Sequence, residues 1–358
     1  MTDNHPPRLN RRAVLGMLLA AGASACNLPV GRTTAEPGPS PHPTGPTDPT
    51  PTPRRTRPPE PEIATLTAVP PYTTIDGETY PNAKRIASRY VQALTTYDAG
   101  TRRRAVVRGA SRGADRDLDL EGVIRRARPL HVAGAQSRGE IVYPQLGGLA
   151  LGGTVDRCCV MVVVRQTILD DSGEQRTVTR TVDVRLVNRD DQWMVEDMAD
   201  AGGRPVRRRD GALPPIARRV LDNDRIDLPD SARWDIHEGL IDERLLRTMH
   251  RIAQLTPYAV CTLRNGHPVN VFNTNRTSNH TLGRAVDIWG VGGEPVVVQQ
   301  PQEDTDAHEF TSELLDGYGV TELGSPWDLD GPPEPGKVRP SFTDAVHADH
   351  IHVAYRTG

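Results

Sequence analysis

Two short segments near the carboxyl end carry residues that can bind a metal. S-N-H-T-L-G-R-A-V-D spans Ser278–Asp287, and A-D-H-I-H spans residues 348–352. His280, Asp287 and His352 supply two imidazoles and one carboxylate, which suit a divalent metal of borderline hardness. Three protein ligands with a fourth position open are typical of catalytic zinc, whereas structural zinc usually has four protein ligands. The pattern therefore predicts a zinc hydrolase.

The same segments resemble a family of zinc peptidases. S-x-H-x-x-G-x-A-x-D followed by D-x-x-H is similar to the motifs of the zinc D-alanyl-D-alanine carboxypeptidases, which belong to the lysostaphin, D-Ala-D-Ala and hedgehog group. The resemblance covers residues 212–358 and implies a zinc metallopeptidase domain with an antiparallel sheet. It implies that His280, Asp287 and His352 bind Zn²⁺ and that Asp349 is the general base.

The resemblance implies roles for three further residues. Arg264 lies sixteen residues before the first histidine ligand, where the family carries an arginine for the substrate carboxylate or the oxyanion. His347 lies where some members have a second histidine that stabilises the transition state. Ser278 either binds substrate or holds the loop. The expected substrates are amide bonds of peptidoglycan stem peptides, with D-Ala-D-Ala as the first expectation.

The final segment leaves a choice of ligand open. In a regular strand, His350 and His352 share a face and Asp349 points to the other. Asp349 reaches the metal only if the strand begins after it or is bulged. His352 occupies the family's ligand position, and His350 is the alternative ligand. A second hypothesis for the whole domain is a non-catalytic zinc-containing binding module, against which the acid at Asp349 argues.

Helices and strands around the motifs follow from apolar periodicity. The spacing predicts a helix over residues 241–255, strands over 258–263 and 283–289, a helix over 306–318 and a last strand over 350–355. A long segment separates the second ligand from the third, and its Pro- and Gly-rich part with Trp327 is expected to form a lid or a wall of the substrate site.

The first residues indicate export. Residues 1–26 form a signal of the twin-arginine type, with N-R-R-A-V-L followed by an apolar run. A-S-A-C ends in Cys26, which predicts a lipidated lipoprotein; simple cleavage and secretion is the alternative. Residues 27–62 are rich in Pro and Thr and predict a disordered tether of on the order of 100 Å in polyproline II form. The protein is therefore expected outside the cytoplasm, anchored to the cell membrane by lipid and reaching the cell wall.

Residues 82–205 predict a separate α+β accessory domain. A helix over residues 82–94 precedes strand-like runs at residues 131–135, 157–166, 177–187 and 192–198. A helix before a curved antiparallel sheet resembles cystatin-like and nuclear-transport-factor-2-like domains. No cluster of acids, bases or ligands stands out, which favours a spacer or interaction domain.

The net charge and the cysteines bear on possible partners and on disulfide bonds. The formal net charge is −3, with acids and bases interspersed, so no nucleic-acid-binding surface is indicated. Cys158, Cys159 and Cys261 are expected to pack as apolar side chains, with a disulfide to Cys261 as the alternative. The oligomeric state is left open.

Overall fold

The computed structural model describes residues 65–206, 213–331 and 339–356 of the chain, all of them within one compact unit, Pro61–Gly358. Within these ranges the protein is an α+β structure with eight α-helices and two β-sheets. The predicted signal, Cys26 and the tether lie outside the described residues. None of the helices described is both long and apolar enough to cross a membrane.

The N-terminal lobe, residues 65–206, packs its helices on one face of a four-stranded antiparallel sheet. Strand neighbours follow chain order, β1-β2-β3-β4. The predicted helix over residues 82–94 is confirmed as α1, and it buries Ala87, Val91 and Leu94 against valines of β2 and β3. The elements are α1 Pro81–Thr95, α2 Arg103–Ala110, α3 Leu120–Arg126, a 3-10 helix Arg128–Leu130, β1 Gln136–Ala150, β2 Asp156–Leu169, β3 Gln175–Arg189 and β4 Gln192–Asp200.

Strand β1 differs from the prediction. Residues 131–135 form a turn, so the predicted strand there is wrong, and β1 begins only after them. Its sequence hides the strand because Pro144 and the pair Gly147–Gly148 interrupt the apolar alternation. The pairing of β1 with β2 shifts register at two points in this stretch. Proline is tolerated because β1 is an edge strand, where a missing N–H costs no ladder hydrogen bond.

The C-terminal lobe, residues 213–331 and 339–356, surrounds a mixed seven-stranded sheet. The strand order is β10-β9-β11-β7-β6-β5, with β8 paired to β7. The predicted helices and strands around the motifs are confirmed as α6, β6, β7, α8 and β11, and β11 lies inside the sheet between β9 and β7. The elements are α4 Pro215–Leu221, β5 Ile226–Asp227, α5 Asp230–His237, α6 Glu243–Ile252, β6 Tyr258–Thr262, β7 Ala285–Val291, β8 Glu294–Pro295, α7 Val296–Gln299, α8 Asp306–Gly317, β9 Glu322–Gly324, β10 Ser341–Phe342 and β11 Ile351–Ala354.

The two sheets pack on each other through a small apolar cluster. Cys159 and Met161 of β2 meet Cys261 of β6, and Tyr143 of β1 stacks on Trp289 of β7 with ring centroids 4.9 Å apart. Cys261 and the two β2 cysteines are free, buried thiols, which fits the predicted packing role. Burial raises the pKa of Cys261 well above its usual value. The lobes therefore share a packed interface rather than a flexible connection.

Trp327 does not form a lid. Its side chain is buried in the hydrophobic core of the C-terminal lobe, and its Nε1 donates to the carbonyl of Pro301 at 3.3 Å. The predicted role of Trp327 as a wall of the site is therefore wrong. Residues 332–338 of the same segment lie outside the described ranges.

Candidate metal centre

Three predicted ligands meet where β7 and β11 pair. The antiparallel register places His352 directly opposite Asp287, and His280 reaches them from the loop before β7. His280 Nε2 lies 3.1 Å from Asp287 Oδ1 and 3.3 Å from His352 Nδ1. His352 Nδ1 lies 2.9 Å from the same carboxylate oxygen. The structure thus brings the three side chains to one point.

The donor set fits a cation. His280 Nδ1 donates to the carbonyl of Leu263 at 2.7 Å, so its Nε2 presents a lone pair to the centre. Asp287 Oδ2 accepts from Gln145 Nε2 at 2.9 Å, which leaves Oδ1 for the centre. Two lone pairs facing each other near 3 Å repel unless a positive charge lies between them. Zinc–nitrogen bonds of about 2.0–2.1 Å in a tetrahedron separate ligand atoms by roughly 3.3 Å, close to the spacings found.

Electrostatics favour the ionised carboxylate. Burial alone would raise the pKa of Asp287, but His280 and His352 hold this pKa well below its ordinary value. The carboxyl group is therefore deprotonated, as a metal ligand must be.

His267 is a further ligand candidate that the sequence did not reveal. Its ring stacks on His280 at 3.9 Å between centroids, and its Nδ1 donates to the carbonyl of Pro268. One ring nitrogen of His267 lies within 4.8 Å of ligand atoms of His280 and Asp287, so these three residues form a group that could hold a metal ion. His352 is not part of this group, although its Nδ1 lies 3.3 Å from His280 Nε2 and 2.9 Å from Asp287 Oδ1.

Asp349 lies behind the centre. Strand β11 begins at Ile351, after Asp349, which is the condition under which the acid could reach the metal. Its carboxylate is instead held by other groups, because Oδ1 accepts from His350 Nδ1 at 2.7 Å and Oδ2 accepts from the backbone N–H of Leu146 at 2.9 Å. Asp349 is fully buried and does not line the cavity. This position does not fit the general base predicted from the motif.

His350 takes the position facing the centre. Its Nε2 lies 3.9 Å from Asp287 Oδ1, and its ring lines the cavity. Asp349 fixes the tautomer, since a carboxylate at Nδ1 leaves Nε2 with the lone pair. His280 Nε2 and His352 Nδ1 lie closer to Asp287 Oδ1, at 3.1 and 2.9 Å, so His352 fits the ligand position better than the alternative, His350. His350 is better placed to contact a substrate or water than to replace His352.

His347 stands at the mouth of the cavity. Asp344 Oδ1 accepts from its Nδ1 at 2.8 Å and from its backbone N–H at 3.0 Å. His347 packs beside His350, with ring centroids 5.0 Å apart. The structure therefore brings His347 to the centre in an orientation fixed by a carboxylate. Burial would raise the pKa of Asp344, but the hydrogen bond and charge of His347 lower it to about 2.

Ser278 and Arg264 have local partners. Ser278 Oγ accepts from the backbone N–H of His280 at 3.2 Å, which holds the ligand loop while the residue also lines the cavity. Arg264 follows β6, where its backbone N–H donates to the buried Asp235. Arg264 is not among the described residues that line the cavity. Among the described residues, the arginine that does line it is Arg276, in the loop between β6 and β7.

The cavity is an open cleft of about 240 Å³ built from both lobes. One wall is the end of β1, with Leu146, Gly147 and Gly148, and Gly148 lies against Phe272 of the C-terminal lobe. A Cβ added at Gly148 would lie 2.3 Å from Phe272 Cβ, so only glycine fits this contact. Glu322 lies on the other side, with Oε1 3.8 Å from His352 Nε2. The cleft has room for a peptide segment beside the metal position.

Comparisons with known proteins add no assignment: no protein-family model matches this chain, and no curated protein matches it. Sequence reasoning missed His267, Glu322 and Arg276 because none of them belongs to the two motifs. It also missed the N-terminal lobe's contribution, since Gln145 lies in a strand interrupted by proline and glycine. The only sequence signal for Gln145 would have been recognition of β1 itself.

Proposed function

We propose that this cleft is the active site of a zinc-dependent peptidase that hydrolyses amide bonds of peptidoglycan stem peptides, similar to the D-alanyl-D-alanine carboxypeptidases. The observation that carries the proposal is the convergence of His280 Nε2, Asp287 Oδ1 and His352 Nδ1 within 2.9–3.3 Å in an open cleft. Zinc is proposed because the set is two imidazoles and one carboxylate. The fold proposed with it is a zinc peptidase lobe behind a nuclear-transport-factor-2-like lobe.

A zinc ion bound by these residues would polarise the scissile carbonyl and lower the pKa of a water molecule. His350 Nε2 faces the centre and accepts the proton of the attacking water, then returns it to the leaving amine. Asp349 holds the imidazole in the required tautomer and stabilises the imidazolium, so it acts through His350. This reassigns the base role predicted for Asp349, whose carboxylate has no face toward the cleft.

Two further groups suit the developing charges. His347 lies on the same side as His350, and as an imidazolium whose Nδ1–H donates to Asp344 it has a second N–H, at Nε2, that donates to the oxyanion of the tetrahedral intermediate. Arg276 is exposed at the cleft and is the arginine placed to bind the carboxylate of a peptide C-terminus. Arg264, which the motif spacing favoured for this role, lies outside the lining.

The proposed location is the cell envelope. The twin-arginine-like signal, Cys26 and the Pro-rich tether support a lipid-anchored protein outside the cytoplasm whose partners are cell-wall peptides. The alternative is secretion after cleavage before Cys26. Metabolic labelling with a radiolabelled fatty acid would distinguish these, because Cys26→Ser abolishes labelling only if Cys26 is lipidated.

The activity test uses Pro61–Gly358, the compact unit, loaded with one zinc per chain. It is expected to release D-Ala from a stem pentapeptide, and His350→Ala is expected to abolish the reaction while retaining zinc. His280→Ala should lose both zinc and activity. Arg264→Ala serves as the control, since its side chain does not line the cleft. A wild-type protein that binds zinc and leaves both pentapeptides and crosslinked muropeptides intact contradicts the proposal and favours the non-catalytic binding module.

A further inference from the structure

A lysine with no exposed surface links the N-terminal lobe to the candidate metal centre. Lys84 lies in α1, and its Nζ is 2.6 Å from Asp349 Oδ2. The same Nζ contacts the carboxylate of Glu78 and lies over the ring of Tyr143 at 5.4 Å from its centroid. A buried ammonium is costly unless paired, and here two carboxylates from different parts of the chain pair it.

The N-terminal lobe supplies two donors to the oxygen of the Asp349 carboxylate that His350 does not contact. Lys84 Nζ and the backbone N–H of Leu146 both approach Oδ2. The hydroxyl of Tyr143 donates to the backbone carbonyl of Asp349 at 3.3 Å. The carboxylate therefore cannot rotate, and the ring of His350 that hydrogen-bonds to Oδ1 is fixed with it.

The same lobe reaches the metal position itself. Gln145 is fully buried, and its Nε2 donates to Asp287 Oδ2 at 2.9 Å. This hydrogen bond aims the other oxygen, Oδ1, at His280 and His352. Partners of this kind orient metal ligands, and their removal typically weakens metal binding about 10–100-fold.

Adhesion between the lobes does not explain these polar contacts. The apolar cluster around Cys261 and the stacking of Tyr143 on Trp289 already join the two sheets. A buried ion pair is often no more stabilising than apolar side chains of the same volume. The placement of Lys84 behind Asp349 therefore needs a reason other than attachment.

We propose that the N-terminal lobe completes the active centre, with Lys84 positioning His350 through Asp349 and Gln145 positioning the metal ligand Asp287. This deepens the proposed peptidase function and rests on it. Residues 65–206 are then a second half of the site rather than the spacer that the sequence favoured. A chain cut to the C-terminal motifs would keep the ligands and lose their orientation.

The metal half of the proposal is tested on Pro61–Gly358 with Gln145→Met, which keeps the volume and removes the donor. Zinc Kd is measured by competition with a chromogenic chelator, without any substrate. We expect Kd to rise about 10–100-fold. Thr181→Val is the matched control, because Thr181 bonds the carbonyl of Cys261 across the same interface and touches neither Asp349 nor Asp287. A zinc Kd in Gln145→Met equal to that of the control overturns this half.

The positioning of His350 by Lys84 is tested with the double variant Glu78→Gln/Lys84→Met. It removes one charge of each sign, so the net charge buried around Asp349 does not change. Lys84→Met alone would leave the carboxylates of Glu78 and Asp349 buried without their cation and could prevent folding. We expect kcat to fall at least about tenfold with KM and zinc Kd close to wild type, as for a positioning group behind a catalytic one. The proton NMR signal of His350 Nδ1–H, assigned through His350→Gln, should shift or broaden.

The two failures can be told apart. If the wild-type protein hydrolyses no cell-wall peptide, the proposed function fails, while zinc Kd in Gln145→Met and the His350 signal still test the inference. If the double variant keeps both wild-type kcat and the wild-type His350 signal, the positioning role of Lys84 is overturned whatever the substrate.

Discussion

Gly283 offers a sharp test of how the sequence positions the metal ligands. It lies in the turn between His280 and β7, with φ at +70°, and a Cβ there would lie 1.9 Å from the carbonyl oxygen of Leu240. Its N–H donates to the carbonyl of His280, and its own carbonyl accepts from the N–H of Asp242, both at 2.9 Å. The turn is thus pinned on both sides, and Gly283→Ala cannot relieve the clash without moving His280.

The expected cost has two parts. A left-handed backbone conformation costs an alanine about 1–2 kcal/mol. Overpacking against a backbone oxygen adds about 1–3 kcal/mol, because the Cβ must retreat by more than roughly 1 Å to reach ordinary contact. Gly283→Ala should therefore lower the free energy of unfolding by about 2–5 kcal/mol. Since metal sites tolerate errors of only about 0.2 Å, zinc Kd should rise at least tenfold.

Gly239 provides the matched control. Its φ is +73°, yet a Cβ there meets nothing within 4 Å. Gly239→Ala should therefore lose only the conformational part, about 1–2 kcal/mol, and bind zinc like the wild type. Urea denaturation and chelator competition measure both quantities. If the two alanine variants unfold at the same urea concentration and bind zinc equally, the turn does not position His280 as the structure indicates.

Three further outcomes are expected. Burial raises the pKa of Asp235 from 3.8 to about 7. The contribution of this group to stability is therefore complete below about pH 4 and is lost as the pH rises through 7. Asp235→Asn should remove this pH dependence of the free energy of unfolding, which amounts to roughly 4 kcal/mol at most in urea unfolding. A fall in stability between pH 4 and 7 that is equally large in the variant would contradict this. Cys159 and Cys261, both fully buried, should resist alkylation at pH 8 until urea unfolds the chain, as mass spectrometry would show. Arg276→Ala should raise KM for peptides with a free C-terminal carboxylate far more than Arg264→Ala, and equal effects would exclude Arg276 as the carboxylate-binding group.

Regular apolar patterns predicted much of the secondary structure. The alternation through Val182, Val184 and Leu186 marks β3, and the spacing of Leu245 and Met249 marks α6, because burial of one face leaves a periodic trace. β1 left no such trace. Its bulges, its proline and its glycines fit a strand that leaves its own sheet to contact another lobe, and those are the features that hide it in a sequence.

The site residues could be predicted from the sequence only where they belong to one local motif. His280 and Asp287 belong to one continuous motif, and β7 and the loop before it position them together. Lys84 is separated from Asp349 by more than 250 residues, so no local pattern can show that the two meet. The same holds for Gln145 and Asp287, which lie 142 residues apart.

The role of Asp349 depends on those distant contacts. Spacing alone places an acid three residues before His352, and the family resemblance then makes it the base. In a bent segment before a strand, however, spacing does not decide which side chain faces the metal. The donors around it decide: Lys84 and Leu146 draw the carboxylate away from the cleft, and His350 is turned into it. Asp349 and His350 are adjacent in sequence, yet the acid lies behind the centre and the histidine lines the cleft, because the N-terminal lobe supplies the donors that hold the acid.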